Sequence, residues 1–231
     1  MARRGTVLLL VVAAVLSALT LCGCGSPPSG GEEISNGVPN LLTCPPGKWV
    51  DLFDGRTLAG WETFGGEGDS YYGRVVVKNG AIVLYPGTPS TAIRWAGAFP
   101  RDNYEVSLEA NRLEGSDFFC GMTFPVGDSY CTLICGGWGG SVVGLSNVDE
   151  FAADNNETTR DIVFDNNRWY RIRLQVTREA IRVWIDDEKV IDLARAGHRF
   201  SIWPQREPER PFGVASYNTK AALRNFKFRN L

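Results

Sequence analysis

Three carboxylates stand where acid–base chemistry could be done. Glu109 sits on the polar side of an alternating stretch, beside Ser107 and Asn111. Asp117 follows Glu114-Gly115-Ser116, at a turn entering an apolar run. Glu157 lies in Asp154-Asn155-Asn156-Glu157-Thr158-Thr159, a loop dense in oxygen atoms. A carboxylate within hydrogen-bond reach of a reacting proton, about 3 Å, can serve as a general base. Each of the three also has a plain reading as a solvated strand-face or loop acid. The chain has one histidine, His198, in Arg195-Ala196-Gly197-His198-Arg199, expected in an exposed loop. Multi-histidine zinc sites, and a Ser-His-Asp triad built on any other histidine, are therefore excluded. Asp149, Glu150 and Asp154 with Asn155 and Asn156 offer hard oxygen ligands for Ca²⁺ or another divalent ion, although their spacing matches no metal-loop motif.

Two further groups could form a binding face. In Cys135-Gly136-Gly137-Trp138-Gly139-Gly140 the glycines let backbone and indole approach a ligand closely. The alternative is a glycine-rich connection with Trp138 capping the core. Arg171, Arg173, Arg182 and Trp184 fall opposite apolar stripes. They either line a groove or stack guanidinium over indole on a wet sheet surface. The charges nearly balance, 24 Lys+Arg against 26 Asp+Glu. Without a basic excess there is no electrostatic hold on nucleic acid, so no nucleic-acid partner is expected.

The elements that must position these residues read as strands. Val75 to Leu84 carries Asn79-Gly80 between β-branched residues, the signature of a type I′ hairpin. Tyr104, Val106, Leu108 and Ala110 alternate with polar residues, as do Tyr170, Ile172, Leu174 and Val176. Phe118–Phe124 and Tyr130–Cys135 flank Pro125-Val126-Gly127-Asp128, a second hairpin. Phe212–Tyr217 and Leu223–Phe228 close the chain. Helical periodicity is nearly absent, and 26 Gly and 12 Pro punctuate the sequence. About ten short strands with turn signals point to an all-β sandwich or barrel.

The N-terminus reads as an address. Arg3 and Arg4 precede an apolar run from Thr6 to Leu21 that is short for a membrane span. Leu21-Cys22-Gly23-Cys24 resembles a bacterial lipoprotein signal, with Cys24 the lipidated residue. The expected organisation is a signal peptide over 1–23, a Gly/Ser/Pro-rich tether over 24–43 and one domain over 44–231. The product would be extracytoplasmic and held to a bacterial membrane by acyl chains alone, in the periplasm or at the cell surface.

The segment Leu52-Phe53-Asp54-Gly55-Arg56-Thr57-Leu58-Ala59-Gly60-Trp61 resembles the opening of the 3-keto-disaccharide hydrolase domain family. Tyr104–Glu109, Asn167–Ile172 through Val183–Asp187, and Pro211–Gly213 through Leu223–Phe226 are similar, in order, to later strands of that family. The resemblance implies a concanavalin/laminin-G-like jelly-roll sandwich of two antiparallel sheets. It also implies cleavage of a glycoside oxidised to a ketone at carbon 3. The ketone acidifies the carbon 2 proton; a base removes it, the leaving sugar departs from carbon 1, and water adds. Such a site needs a base at carbon 2 and an electrophile, or a metal ion, at the ketone oxygen. Glu109, Asp117 and Glu157 are the candidate bases. Trp138, Trp184, Arg171 and Arg173 are the candidate sugar contacts.

Two family features are replaced here. An Asn-Ser-Gly step gives way to Phe119-Cys120-Gly121, and an Asp-His-Gly step to Ser216-Tyr217-Asn218. Three readings follow: a 3-keto-glycoside-cleaving enzyme, a lectin-like module that binds without cleaving, or an envelope scaffold. Among the cysteines, a turn at Gly127-Asp128 would set Cys120 opposite Cys135. That register permits a disulfide, and buried free thiols serve equally well.

Overall fold

The computed structural model describes residues 38–65 and 71–231. The signal peptide, Cys24 and the tether as far as Gly37 lie outside the described residues. Fifteen strands and one short helix make up the described elements. They are β1 (Val50–Asp51), β2 (Trp61–Thr63), β3 (Val75–Lys78), β4 (Ala81–Leu84), β5 (Ser90–Trp95), β6 (Tyr104–Gly115), β7 (Cys120–Val126) and β8 (Ser129–Gly137). There follow β9 (Val142–Ser146), β10 (Arg160–Asp161), β11 (Trp169–Val176), β12 (Ala180–Ile185), β13 (Glu188–Ala194), a 3-10 helix (Pro204–Glu209), β14 (Gly213–Tyr217) and β15 (Thr219–Asn230).

The strands form two sheets, and the named strands pair antiparallel. One has eight strands in the order β13-β12-β11-β6-β15-β4-β3, with β1 also on β15. The other has seven, β10-β9-β8-β7-β14-β5-β2. The expected hairpins are present. Asn79 and Gly80 take φ +53° and +74° between β3 and β4, as a type I′ turn requires. Gly127 and Asp128 join β7 to β8, and the register sets Cys120 opposite Cys135 and Phe124 opposite Cys131.

Strand alternation divides each sheet into a dry face and an outer face. Tyr104, Val106, Leu108 and Ala110 of β6 meet Met122, Phe124, Cys131, Leu133 and Cys135 of β7 and β8 in one core. Aromatic rings fill one end of it. Trp61 packs edge-on to Trp95 at 5.5 Å and against Phe226 at 4.8 Å, and Phe99 stacks on Phe212 at 4.6 Å. Removing one such ring costs about 3–5 kcal/mol. Cys120, Cys131 and Cys135 are buried free thiols. Burial pushes the Cys131 thiol up to about 12. Leu41, inside the stretch expected as tether, is also buried in the core. Asn230 Nδ2 donates to the carbonyls of Leu41 and Cys44, both at 2.9 Å, and ties this segment to β15.

The chain changes sheets between β6 and β7 and again between β14 and β15, and these two crossings lie side by side. Thr219 pairs with Gly115. Its Oγ accepts the Asp117 N–H and donates to the Asp117 carbonyl, both at 3.1 Å. The Tyr217 N–H reaches the Phe118 carbonyl at 3.0 Å. Asp117 is thereby fixed where the sandwich layers exchange strands.

Candidate functional site

Thr132 and Ile134 alternate with the core-facing Cys131, Leu133 and Cys135, so they point outward from the seven-stranded sheet. Together with the segment carrying the 3-10 helix they bound a pocket of about 480 Å³. Its lining includes Asp117, Phe118, Trp138, Trp203, Arg206 and Tyr217. Such a volume lies in the usual range for small-molecule sites, about 300–1,000 Å³. Trp138 and Trp203 are half-exposed, at 48% and 49%. Water-facing indoles at a pocket are rings available for stacking. Trp203 is anchored by its Nε1–H, which donates to Ser146 Oγ at 3.2 Å.

The turn carrying Trp138 needs its glycines. Trp138 itself has φ +49°, and Gly136, Gly139 and Gly140 have φ +80°, +92° and +118°. A non-glycine residue in this region is strained and must be held by its surroundings. Arg112, buried on β6, does part of that: it donates to the carbonyls of Gly140 (3.1 Å) and Phe164 (2.6 Å) and to Asn166 Oδ1 (2.6 Å). A Cβ at Gly140 would come within 2.8 Å of the Arg112 Nη1.

Asp117 faces this turn. Its Oδ1 accepts the Phe118 N–H at 2.7 Å, and the backbone N–H groups of Trp138 and Gly139 also favour its charged form. Partial burial raises its carboxyl above the ordinary 3.8, working against these donors and the Arg112 charge. The result is an oriented carboxylate with more basicity than a free aspartate. At the floor, Arg206 donates to Glu209 Oε1 at 2.6 Å and to Ser90 Oγ at 3.1 Å. Glu209 is fully buried. Burial pushes its carboxyl up to about 7, against the pull of Arg206 and the Thr123 hydroxyl.

The residues picked from sequence divide among three places. Asp117 and Trp138 share the pocket. Glu109, Arg171, Arg173 and Trp184 lie on the outer face of the eight-stranded sheet, across the thickness of the sandwich. There Glu109 accepts Arg224 Nε at 2.7 Å and Asn225 Nδ2 at 2.9 Å. Burial works to raise its carboxyl, but the bonds from Asn225 and Arg224 outweigh it and hold the group below its ordinary value. Arg173 lies 3.8 Å above the Trp184 ring, the stacked arrangement. It also donates to the fully buried Glu105, which is shared with Arg229 and Gln175. Arg171 pairs with Asp187.

Glu157 is exposed in its loop, 3.4 Å from His198 Nε2. His198 is half-buried, not free in an exposed loop, because Asp149 Oδ2 meets its Nδ1 at 2.7 Å. The oxygen-rich loop is largely satisfied internally. Asp149 also accepts the Arg199 N–H, and Asn156 Oδ1 takes the N–H and hydroxyl of Thr158. Among the described residues no group of three or more His, Cys, Asp or Glu side chains is arranged to hold a metal ion.

Sequence reading missed Trp203, Arg206 and Glu209. All three lie in Trp203-Pro204-Gln205-Arg206-Glu207-Pro208-Glu209, which has neither strand nor helix periodicity. The one available signal was a tryptophan beside a proline in a non-periodic segment. Tyr217 was visible only as the residue standing in the replaced Asp-His-Gly step.

Solved structures with this architecture place the chain among concanavalin-like sandwiches. The carbohydrate-binding module CBM66 from Bacillus subtilis is 12% identical over 74% of this chain and 96% of its own, with TM-score 0.51. Domain 4 of AbnA, a GH43 extracellular arabinanase from Geobacillus stearothermophilus solved with arabinotriose, is 13% identical over 81% and 93%, TM-score 0.52. The laminarinase from Flavobacterium sp. UMI-01 is 11% identical over 81% and 100%, TM-score 0.52. A comparison with curated proteins gives no match. Residues 48–229 match the 3-keto-alpha-glucoside-1,2-lyase-like domain, and the chain belongs to that family of carbohydrate-active domains.

Proposed function

We propose that the pocket binds one 3-keto-glucoside ring and that Asp117 removes its carbon 2 proton. The observation that carries this reading is an oriented carboxylate of raised basicity in an aromatic-walled pocket of hexose scale. Trp138 and Trp203 supply stacking faces for the apolar C–H patches of a pyranose. Asp117 takes the carbon 2 proton, and the C–H electrons form an enolate on the carbon 3 oxygen. The Arg206 guanidinium, always cationic, supplies positive charge for that oxygen. Collapse of the enolate expels the glycosidic oxygen from carbon 1, the proton passes to the departing alkoxide, and water adds across the resulting double bond. The test is incubation with a 3-keto-disaccharide: release of 3-ketoglucose, lost in Asp117→Asn, supports the reading. Absence of turnover by the wild-type domain refutes it.

A second reading is a glycan-binding module without catalysis. It is favoured by one observation: Asp117 is the only carboxylate that lines the pocket among the described residues, so no second acid stands ready for the leaving group. Sugar binding without turnover would identify it. In either case the domain is proposed to be displayed outside the cytoplasm by lipid on Cys24. Palmitate labelling lost in Cys24→Ser supports this, and unchanged labelling removes it.

A further inference from the structure

Beneath the pocket three side chains form a hydrogen-bond chain with one self-consistent direction. Thr123 Oγ donates to Glu209 Oε2 at 2.7 Å. A threonine hydroxyl has a single proton, so Thr123 has none left for its other neighbour. That neighbour is the Thr132 hydroxyl, 3.1 Å away. Thr132 must therefore be the donor in their bond. Thr123 is fully buried and Thr132 is 1% exposed, so the pocket side is where Thr132 can still be reached. Thr132 lines the pocket floor. With its proton committed to Thr123, it can offer the pocket only oxygen lone pairs.

We infer that Thr132 is an acceptor-only specificity residue that selects, at the pocket floor, a sugar carbon bearing a hydroxyl over one bearing a carbonyl. The inference rests on the pocket being a sugar site and adds the polarity of its floor. A carbonyl oxygen set against Thr132 would face lone pairs and lose its hydrogen bond, whereas a ring hydroxyl would donate. A keto-sugar is thereby turned so that its ketone avoids Thr132, and the cationic side of the floor, at Arg206, is left to receive it.

The direction of the chain depends on Glu209 being ionised. Arg206 is the charged group that faces it, from the same short helix; β7 and β8 bring only the hydroxyls of Thr123 and Thr132. If Glu209 takes up a proton it donates to Thr123, Thr123 to Thr132, and Thr132 to the pocket. The floor then accepts a carbonyl as readily as a hydroxyl, whose oxygen can also accept.

The experiment is calorimetric titration of the full domain with methyl 3-keto-α-D-glucopyranoside and its 2-, 4- and 6-deoxyfluoro forms, in which C–F keeps an acceptor and lacks the donor, at pH 8 and pH 6. It is run on wild type, Thr132→Val and Thr123→Val. Thr123→Val frees the Thr132 proton without touching the Arg206–Glu209 pair, and it provides a second route if Thr132→Val misfolds. One deoxyfluoro form is expected to bind the wild type about tenfold more weakly at pH 8, the effect of one lost hydrogen bond. That penalty disappears in Thr132→Val and shrinks in Thr123→Val and at pH 6. Equal penalties in wild type and both variants at both pH values overturn the inference while leaving the sugar pocket standing. No binding of the parent sugar by wild type overturns both.

Discussion

The backbone N–H groups of Trp138 and Gly139 act on the Asp117 carboxylate and favour its charge, joining the pocket's acid to the glycine turn. Asp117 enters from the β6–β7 crossing and Trp138 leaves from the end of β8. Both are distant in sequence from Trp203, which also lines the pocket. The acid and the ring thus move together, and a distortion of the glycine turn displaces both.

Replacing Asp117 by Asn keeps the shape and removes the base. Turnover of a 3-keto-glucoside should fall about 10²- to 10⁴-fold, the usual contribution of a positioned base. Sugar affinity, read by calorimetry, should change only a few-fold. Because the carboxyl is raised above 3.8, kcat/KM should drop as pH falls through a value above that figure. Glu109→Gln, on the other sheet, should leave turnover unaltered; an equal loss there would put the chemistry on the wrong face.

Trp138→Ala and Trp203→Ala should each weaken sugar binding about 5- to 30-fold, as expected when an aromatic contact face is removed. Trp184→Ala is the matched control, since its ring is covered by Arg173 away from the pocket. A titration in which Trp184→Ala is as damaging as Trp138→Ala would move the binding face to the eight-stranded sheet.

Gly140→Ala should distort the Trp138 turn through two effects. The φ of +118° is unsuited to an L side chain, and the new methyl would press on Arg112. A stability loss of about 1–3 kcal/mol is expected, with sugar affinity falling alongside. Urea midpoints and calorimetry on the same variant check it; unchanged affinity would mean the turn does not shape the site.

Glu209 should imprint a pH dependence on stability. Its carboxyl is about 7 when folded against 4.5 for a free glutamate, so the folded state holds the proton more tightly. The stabilisation is fully present below about pH 4.5 and is lost as pH rises through 7, roughly 3 kcal/mol in all. Urea unfolding of wild type and Glu209→Gln across pH 4.5–8 should show a falling wild-type curve relative to the variant. Parallel curves would contradict the burial of an ionisable group there.

In the native domain a thiol reagent should spare Cys120, Cys131 and Cys135, which are fully buried. All three should react in denaturant. Rapid native labelling of Cys131 would be inconsistent with a thiol pushed up to about 12.

By itself the sequence determined an all-β chain of paired strands, a sandwich or a barrel. Alternation in Tyr104–Ala110 and Tyr170–Val176, Asn79-Gly80 and the turn at Gly127-Asp128 are local signals whose period and turn chemistry admit one reading. They carried even the Cys120–Cys135 register. The opening segment through Trp61 carried the family. The same signals marked Asp117 and Trp138 as turn residues with chemical potential. They could not say which outward-facing residues share a surface, because period two sorts inward from outward without stating which outside. Glu109 and Asp117 therefore looked equivalent, and only the assignment of β6 and β7 to different sheets separated them. The tertiary structure alone brought Trp203, Arg206 and Glu209 over the seven-stranded sheet. A segment without periodicity has its conformation set by what it packs against, and that partner is far away along the chain.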